Sequence, residues 1–354
     1  MQRKSDSSEA YHIEQDKKNV LRMREVLSDL PSFCKQYFRG IEDSCSPRTR
    51  LGYAYDLRVF FNFIRDNNPS LMDTEVKDMT LEILDMISRE DIEEYVEYIT
   101  LYQKEEKEFS NDEHGKARKL SALRSMYQYF FDAELIKTNP ARLVHMPKMH
   151  EKAIIRLEAD EVAVMLDQIE DGEGLTASQK KFNEKTRVRD LALVTLLLGT
   201  GIRVSECVGL DLTDIDFSNN GLRIHRKGGY ETIIYFGEEV EKALKDYLEL
   251  REDITPIEGH ENALFLSLQN RRITVRAVEN LVKKYARTVT TLKKITPHKL
   301  RSTYGTALYE ETGDIYLVAD VLGHKDVNTT RKHYAATNDA NRRMAARKVK
   351  LRET

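Results

Sequence analysis

Six residues of this chain have side chains suited to chemistry on a phosphodiester. Cleaving that bond requires cationic groups that neutralise the charge on the nonbridging oxygens, a proton for the leaving oxygen and a nucleophile in line with it. Arginine suits the first task because its planar guanidinium can bind two phosphate oxygens at once. The candidates, in chain order, are Arg203, Lys227, His298, Arg301, His324 and Tyr334.

Each candidate also has an ordinary structural interpretation when it is taken alone. Arg203 follows a glycine turn and could simply pair with Glu206. His298 and Arg301 form an H-x-x-R motif behind Pro297, which could simply be the start of a surface helix. The positive end of such a helix would also favour a phosphate. Tyr334 is one of 17 tyrosines. What favours the catalytic interpretation is the order and spacing of the whole set.

The segments TGIRVSE, RKGG, TPHKLRSTYGT, LGHKDVNTT and HY resemble the catalytic domain of the tyrosine recombinase (phage integrase) family. The likeness covers residues 158–336, and residues 46–145 resemble the family's SAM-like core-binding domain. The overall layout is similar to the Xer recombinases, and most of all to the single-recombinase XerS type. That comparison rests on the long N-terminal lead-in, the polar insert ASQKKFNEKT and the segment GDIYLVADVLGH.

The resemblance implies how the scissile phosphate is held. Arg203 and Arg301 would bind its nonbridging oxygens, and His324 would add a hydrogen bond. Glu206 lies where these enzymes carry an acid that orients the first arginine.

The resemblance also implies the bond-making roles. Tyr334 would form a 3′-phosphotyrosyl intermediate, Lys227 would donate a proton to the 5′-hydroxyl leaving group, and His298 would assist the nucleophile. The phosphotyrosyl bond stores the phosphodiester energy, so neither a metal nor another cofactor is expected.

The fold class expected is mainly α, in two domains that clamp DNA. The second domain would carry a small β-hairpin, residues 221–226 and 231–236, with Lys227 near its tip. Residues 171–186, a polar stretch, are predicted to form a surface loop with at most a short helix. Predicted helices cover residues 19–38 (broken at Pro31), 47–66 with Ser46 as N-cap, 89–103, 114–131, 158–170, 188–198, 238–251, 274–289, 298–311 and 316–322.

These elements predict five segments along the chain. Residues 1–45 form a helical extension, 46–145 the core-binding domain, 146–157 a linker and 158–336 the catalytic domain. The basic tail, residues 337–354, is expected to be disordered near DNA or to dock on a neighbouring protomer.

The net charge of −3 is unevenly distributed. Residues 271–301 contain ten Lys or Arg against one acid, Glu279, whereas residues 85–113 are rich in acids. Such segregation suits one DNA-binding face and one solvated face. The candidates for DNA contact are Lys116, Arg118, Lys119, Arg124, Arg271, Arg272 and Arg276, although basic residues on an amphipathic helix are more often only solvated.

Three cysteines, Cys34, Cys45 and Cys207, lie far apart and suggest neither a disulfide framework nor a zinc site. No stretch approaches the roughly 20 apolar residues of a membrane span. We therefore expect a cytoplasmic protein. The expected partners are double-stranded DNA recombination sites, three further copies in a homotetramer and a host regulator such as a DNA translocase.

Chromosome dimer resolution is the favoured role, and it is weighed against four alternatives. The same chemistry would serve an integrase of a mobile element or a DNA invertase. A type IB topoisomerase would relax supercoils without sequence preference. A non-catalytic DNA-binding protein has no reason to keep all six residues in register.

Overall fold

The computed structural model describes residues 7–104, 107–150, 154–226, 230–324, 326–328 and 330. It is divided into two compact units. The first spans residues 12–152, and the second comprises residues 153–354 together with residues 1–11. No described helix combines the length and the apolar composition that crossing a bilayer requires.

The first unit is helical, with one added hairpin. Its helices are α1 (Ser7–Leu27, of which most lies in this unit), α2 (Cys34–Gly40), α3 (Pro47–Asn67), α4 (Ile83–Met86), α5 (Arg89–Tyr98) and α6 (Glu113–Asp132), and its strands are β1 (Leu101–Lys104) and β2 (Lys107–Ser110). Buried side chains of residues 23–41 belong to the same core as those of residues 54–144.

Helix α3 begins where the sequence predicts. The hydroxyl of Ser46 accepts a hydrogen bond from the Thr49 amide, and Pro47 occupies the first helical position. The apolar stripe of α3 is buried, and Phe60 packs edge-on against Tyr95 at 5.1 Å between ring centroids. This stripe is therefore core.

Two predictions for this unit were wrong in their limits. The helix predicted over residues 19–38 is interrupted around Pro31 as predicted, but its first part, α1, starts at Ser7 instead of Asn19. The helix predicted over residues 89–103 ends at Tyr98, because β1 pairs antiparallel with β2 and Tyr102 stacks on Phe109. Cross-strand pairing overrides local helical periodicity here.

The second unit carries helices around a small antiparallel sheet. Its helices are α7 (Ala159–Asp171), α8 (Ala177–Thr200), α9 (Val204–Gly209), α10 (Glu238–Glu252), α11 (Val275–Val289), α12 (Pro297–Thr312) and α13 (Ile315–Leu322), and its strands are β3 (Ile215–Asp216), β4 (Gly221–Arg226) and β5 (Tyr230–Tyr235). The sheet order is β3-β4-β5, and α8 packs against α7, α10 and α12.

The predicted loop over residues 171–186 is mostly helix, because α8 is continuous from Ala177. Thr176 and Gln179 form a reciprocal capping box at its start. The buried side of its N-terminal half is polar. There Asn183 and Asp190 meet Tyr285 of α11, whose Oη lies 2.5 Å from Asn183 Oδ1 and 2.9 Å from Asp190 Oδ2. A helix buried through polar groups lacks the apolar period that sequence reading seeks.

This polar contact between α8 and α11 yields a stability prediction. Replacing Tyr285→Phe removes the hydroxyl that lies 2.5 Å from buried Asn183 Oδ1, whereas Asp190 Oδ2 keeps Thr186 and Lys284 as donors. The free energy of unfolding should therefore fall by roughly 1–3 kcal/mol. Urea denaturation followed by circular dichroism measures it. The matched control is Tyr316→Phe, where the side chain is 72% exposed and the change should stay within about 0.5 kcal/mol. Equal losses for the two variants would refute the assignment.

Candidate active site

Three of the described candidates, Arg203, Arg301 and His324, meet at the C-terminal end of α13. Arg203 directly precedes α9, His298 and Arg301 lie on α12, and His324 follows α13. Two further candidates, Lys227 and Tyr334, lie outside the described residues, as does the tail 337–354.

Helix α13 ends in a Schellman motif centred on Gly323. The amide of Gly323 donates to the Asp320 carbonyl and that of His324 to the Ala319 carbonyl, both at 2.9 Å. Gly323 adopts φ +63°, a left-handed conformation that glycine accepts without steric cost. The turn leaves the carbonyls of residues 320–323 facing donors from outside the helix.

Three arginines supply those donors. Arg226, the last residue of β4, donates from Nη2 to the Val321 carbonyl at 2.7 Å and from Nη1 to the Asp320 carbonyl at 3.3 Å. Arg301 donates to the carbonyl of Leu322. Arg203 donates from Nη2 to the carbonyl of Gly323 at 3.2 Å.

Arg301 also connects α13 to the end of α8. Its guanidinium is buried, and Nη1 donates to the Gly201 carbonyl at 2.6 Å. Gly201 is the left-handed residue that ends α8, and a Cβ there would overlap the Tyr304 ring and approach Leu322. The arginine therefore lies where two helix ends and α12 meet.

Glu206 holds Arg203 through both of its carboxylate oxygens. Oε2 accepts from the backbone amide of Arg203 at 2.7 Å, and Oε1 accepts from its Nη1 at 2.8 Å. Glu206 is buried, whereas the Arg203 side chain is 39% exposed. The acid thus fixes a guanidinium that remains open to solvent and to a ligand.

The two histidines differ in environment. His324 Nδ1 lies 2.7 Å from the hydroxyl of Thr330, a contact that holds its ring beside the α13 turn. His298 occupies the first turn of α12 and is exposed. Among the described residues, no group of three or more His, Cys, Asp or Glu is arranged to hold a metal ion.

The basic residues proposed for DNA contact fall into two groups by their own contacts. In the first, side chains serve the fold. The Nζ of Lys119 is buried 3.1 Å from Asp56 Oδ1, Arg124 donates to the carbonyls of Ala141 and Val144, and Arg272 pairs with buried Asp211.

In the second group the guanidinium or ammonium remains accessible. Arg118 is 51% exposed while paired with Asp56, and Arg276 is 79% exposed beside Glu279. Arg271 is exposed and Lys116 partly so. DNA contact stays a prediction for all seven.

Arg226 was not among the site residues predicted from the sequence. Its place directly before Lys227 in the RKGG segment was a signal, but only the fold reveals that this side chain reaches α13. Thr330, the partner of His324, ends the segment LGHKDVNTT, but it was not among the predicted site residues.

Comparison with known proteins places these features in context. The sequence model of the protein family described as "Phage integrase family" matches residues 143–341 of this chain. "Tyrosine recombinase XerC" of Caldanaerobacter subterraneus subsp. tengcongensis is 34% identical over 326 residues, 89% of this chain and 85% of that protein. "Tyrosine recombinase XerD" of Oceanobacillus iheyensis is 28% identical over 302 residues, 85% and 92% of the two chains.

Solved structures share the fold. The Tn1549 transposon integrase in complex with transposon right end DNA superposes with a TM-score of 0.64 at 21% identity, covering 89% of this chain and 98% of that one. XerH recombinase bound to its palindromic difH substrate gives 0.62 at 20% identity, with 86% and 80% coverage.

Two left-handed glycines allow a matched test of the α13 turn. Gly323→Ala adds a Cβ that would overlap the Arg226 guanidinium, so the arginine must release its carbonyls. Gly313→Ala, at φ +66° with nothing within 4 Å of the added Cβ, isolates the backbone cost, about 1–2 kcal/mol. We expect the free energy of unfolding in urea to fall further for Gly323→Ala, by roughly 1 kcal/mol or more for the lost hydrogen bonds. Equal losses would show that Arg226 does not depend on this glycine.

Proposed function

Because the chain belongs to the phage integrase family and is a site-specific tyrosine recombinase, we propose that it is a Xer-like enzyme that resolves chromosome dimers. The observation that carries the proposal is the meeting of Arg203, Arg301 and His324 at one helix end, beside the complete motif set of the sequence. Relatives named XerC and XerD support the role. A substrate of this kind places the enzyme in the cytoplasm, with the chromosome.

The scissile phosphate is proposed to bind between the two arginines. Arg203 is held from one side by Glu206 and remains accessible on the other, and buried Arg301 supplies a fixed charge nearby. A guanidinium already oriented by protein groups stabilises the charge that develops in the transition state without reorganising. The ring of His324, next to the same turn, is proposed to donate a further hydrogen bond.

Strand cleavage then exchanges one phosphoester bond for another. The phenolic oxygen of Tyr334 attacks phosphorus, the bond to the 5′ oxygen breaks, and Lys227 gives that oxygen a proton. A tyrosine has a pKa near 10 in water, so His298 is proposed to accept the phenolic proton as attack proceeds. Religation reverses these steps with a 5′-hydroxyl of the partner strand, so the bond energy is conserved.

DNA recombination sites are the proposed partners, and the solved relatives support this. The structure of XerH is named as bound to its palindromic difH substrate, and that of the Tn1549 integrase as a complex with transposon right end DNA. We propose that a core-binding domain, residues 46–145, and a catalytic domain, residues 158–336, clamp a duplex. Strand exchange would proceed through a Holliday junction in a homotetramer, with residues 337–354 docking on the neighbouring protomer. A DNA translocase is the proposed regulator.

The nucleophile is tested by covalent capture. Duplexes bound by the wild-type protein are selected from a pool with a random central segment, and the recovered site is rebuilt with a nick beside each possible scissile phosphate. Wild type should become covalently attached to the nicked duplex in a denaturing gel. Tyr334→Phe should bind the duplex but give no adduct, because the phenolic oxygen is lost, whereas Tyr316→Phe should react normally. An adduct with Tyr334→Phe would overturn the assignment.

A plasmid with two directly repeated copies of the selected site separates the alternatives. A recombinase converts it into two circles. A type IB topoisomerase relaxes a plasmid that lacks the site, and a non-catalytic DNA-binding protein changes neither.

The basic residues give a second, independent prediction. Arg276→Ala should reduce the slope of log affinity against log salt by about 0.9 for each phosphate contact removed, with folding unchanged. Arg272→Ala leaves Asp211 buried and unpaired, which costs roughly 3–5 kcal/mol of stability. Fluorescence anisotropy on the selected duplex measures the slope, and urea denaturation measures stability. An unchanged slope for Arg276→Ala excludes it as a phosphate contact.

A further inference from the structure

Arg226 connects strand β4 to the end of α13. It pairs with Tyr230 across the sheet, at the last register position before residues 227–229. Its side chain leaves the sheet and donates to the carbonyls of Asp320 and Val321. The same helix end receives Arg203 and Arg301, so the end of β4 is attached to the group that is proposed to bind phosphate.

This attachment places a cation where burial makes it unfavourable. Burial lowers the pKa of Arg226, and the positive charge of Arg203 lowers it further, while the carboxylate of Glu206 acts in the opposite direction. The buried Nε of Arg226 has no hydrogen-bond partner among the described residues. An unsatisfied buried donor costs about 1–3 kcal/mol. This cost offsets part of what the two hydrogen bonds from Arg226 to α13 contribute to stability.

Its position along the chain supplies another reason. Lys227 is the next residue, so its Cα lies about 3.8 Å from that of Arg226. Two hydrogen bonds hold Arg226 on α13, beside Arg203, Arg301 and His324, and one peptide bond joins it to the lysine. Gly323 serves the same contact, because a Cβ at that residue would occupy the space of the guanidinium.

We propose that Arg226 is a positioning residue for Lys227, holding it at the distance from the phosphate that proton transfer requires. The inference rests on the proposed function, in which Lys227 Nζ gives its proton to the 5′ oxygen as the P–O bond breaks. Arg226 itself touches neither the phosphate nor the leaving group in this assignment. Its loss should therefore slow the acid-assisted step and leave phosphate binding intact.

The test changes the leaving group. The selected duplex is prepared in two forms, one with the natural 5′ oxygen at the scissile phosphate and one with a bridging 5′ sulfur. A thiol has a pKa near 8.5, so a thiolate leaves without a donated proton. Rates of covalent adduct formation are measured on both duplexes for wild type, Arg226→Ala and Lys227→Ala.

The expected result is a loss confined to the oxygen substrate. Arg226→Ala should cleave the oxygen substrate at least tenfold more slowly, and by no more than the roughly 10²–10⁴-fold that a general acid contributes. It should cleave the sulfur substrate at nearly the wild-type rate. Lys227→Ala should behave in the same way. If Arg226→Ala is equally slow on both substrates, it acts on the phosphate or the fold and the proposal is wrong.

Two further variants keep the test decisive. Arg226→Lys retains a cationic donor for the Val321 carbonyl and so protects the fold if the alanine variant does not express. Its smaller loss should also vanish on sulfur, and a loss that persists there contradicts the proposal. Arg223→Ala removes another arginine of β4, which pairs with Asp214 just before β3, and should keep the wild-type ratio of the two rates.

The outcomes also separate this inference from the proposed function. If wild type forms no adduct on either duplex, the recombinase assignment fails. If wild type reacts but Lys227→Ala is not rescued by sulfur, the lysine is not the general acid and Arg226 has no acid to position.

Discussion

The carbonyl groups that end α13 are the element on which the described part of the active site depends. A helix leaves its last four carbonyls without intrahelical donors, and something else must satisfy them. Here the carbonyls of residues 320–322 receive hydrogen bonds from Arg226 and Arg301, and that of Gly323, which follows the helix, receives one from Arg203. Because these arginines come from β4, α12 and the start of α9, one helix end fixes cationic groups from three parts of the fold. The negative end of the helix dipole favours the same arrangement.

Satisfying that helix end also explains the two glycines and the acid around it. Gly323 and Gly201 turn the chain where a side chain would displace Arg226 or strike Tyr304. Glu206 balances part of the positive charge while orienting Arg203. Like charges are thus held close together by backbone carbonyls and one buried carboxylate. The resulting concentration of positive charge is what an incoming phosphate requires.

The sequence predicted the residues with distinctive motifs and the helices with clear caps. Ser46 and Pro47 predicted the start of α3, and the H-x-x-R motif predicted that His298 and Arg301 lie on the first turns of α12. It missed the first half of α8, because that helix buries Asn183 and Asp190 instead of an apolar stripe. Nor does residue type distinguish Arg272, which pairs with a buried aspartate, from exposed Arg276, since the distinction depends on neighbours distant in the chain.

The shortness of α13 has a consequence for how this part of the chain can vary. The helix is only eight residues long, and Asp314 caps its start through the amides of Tyr316 and Leu317. The preceding helix, α12, ends at Thr312 with Gly313 as its C-cap. Inserting or deleting one residue would rotate the final carbonyls by about 100°, since an α-helix has 3.6 residues per turn. All three guanidiniums would then lose their acceptors together. Among related sequences, this segment can therefore exchange its exposed side chains, such as Tyr316, far more freely than it can change length.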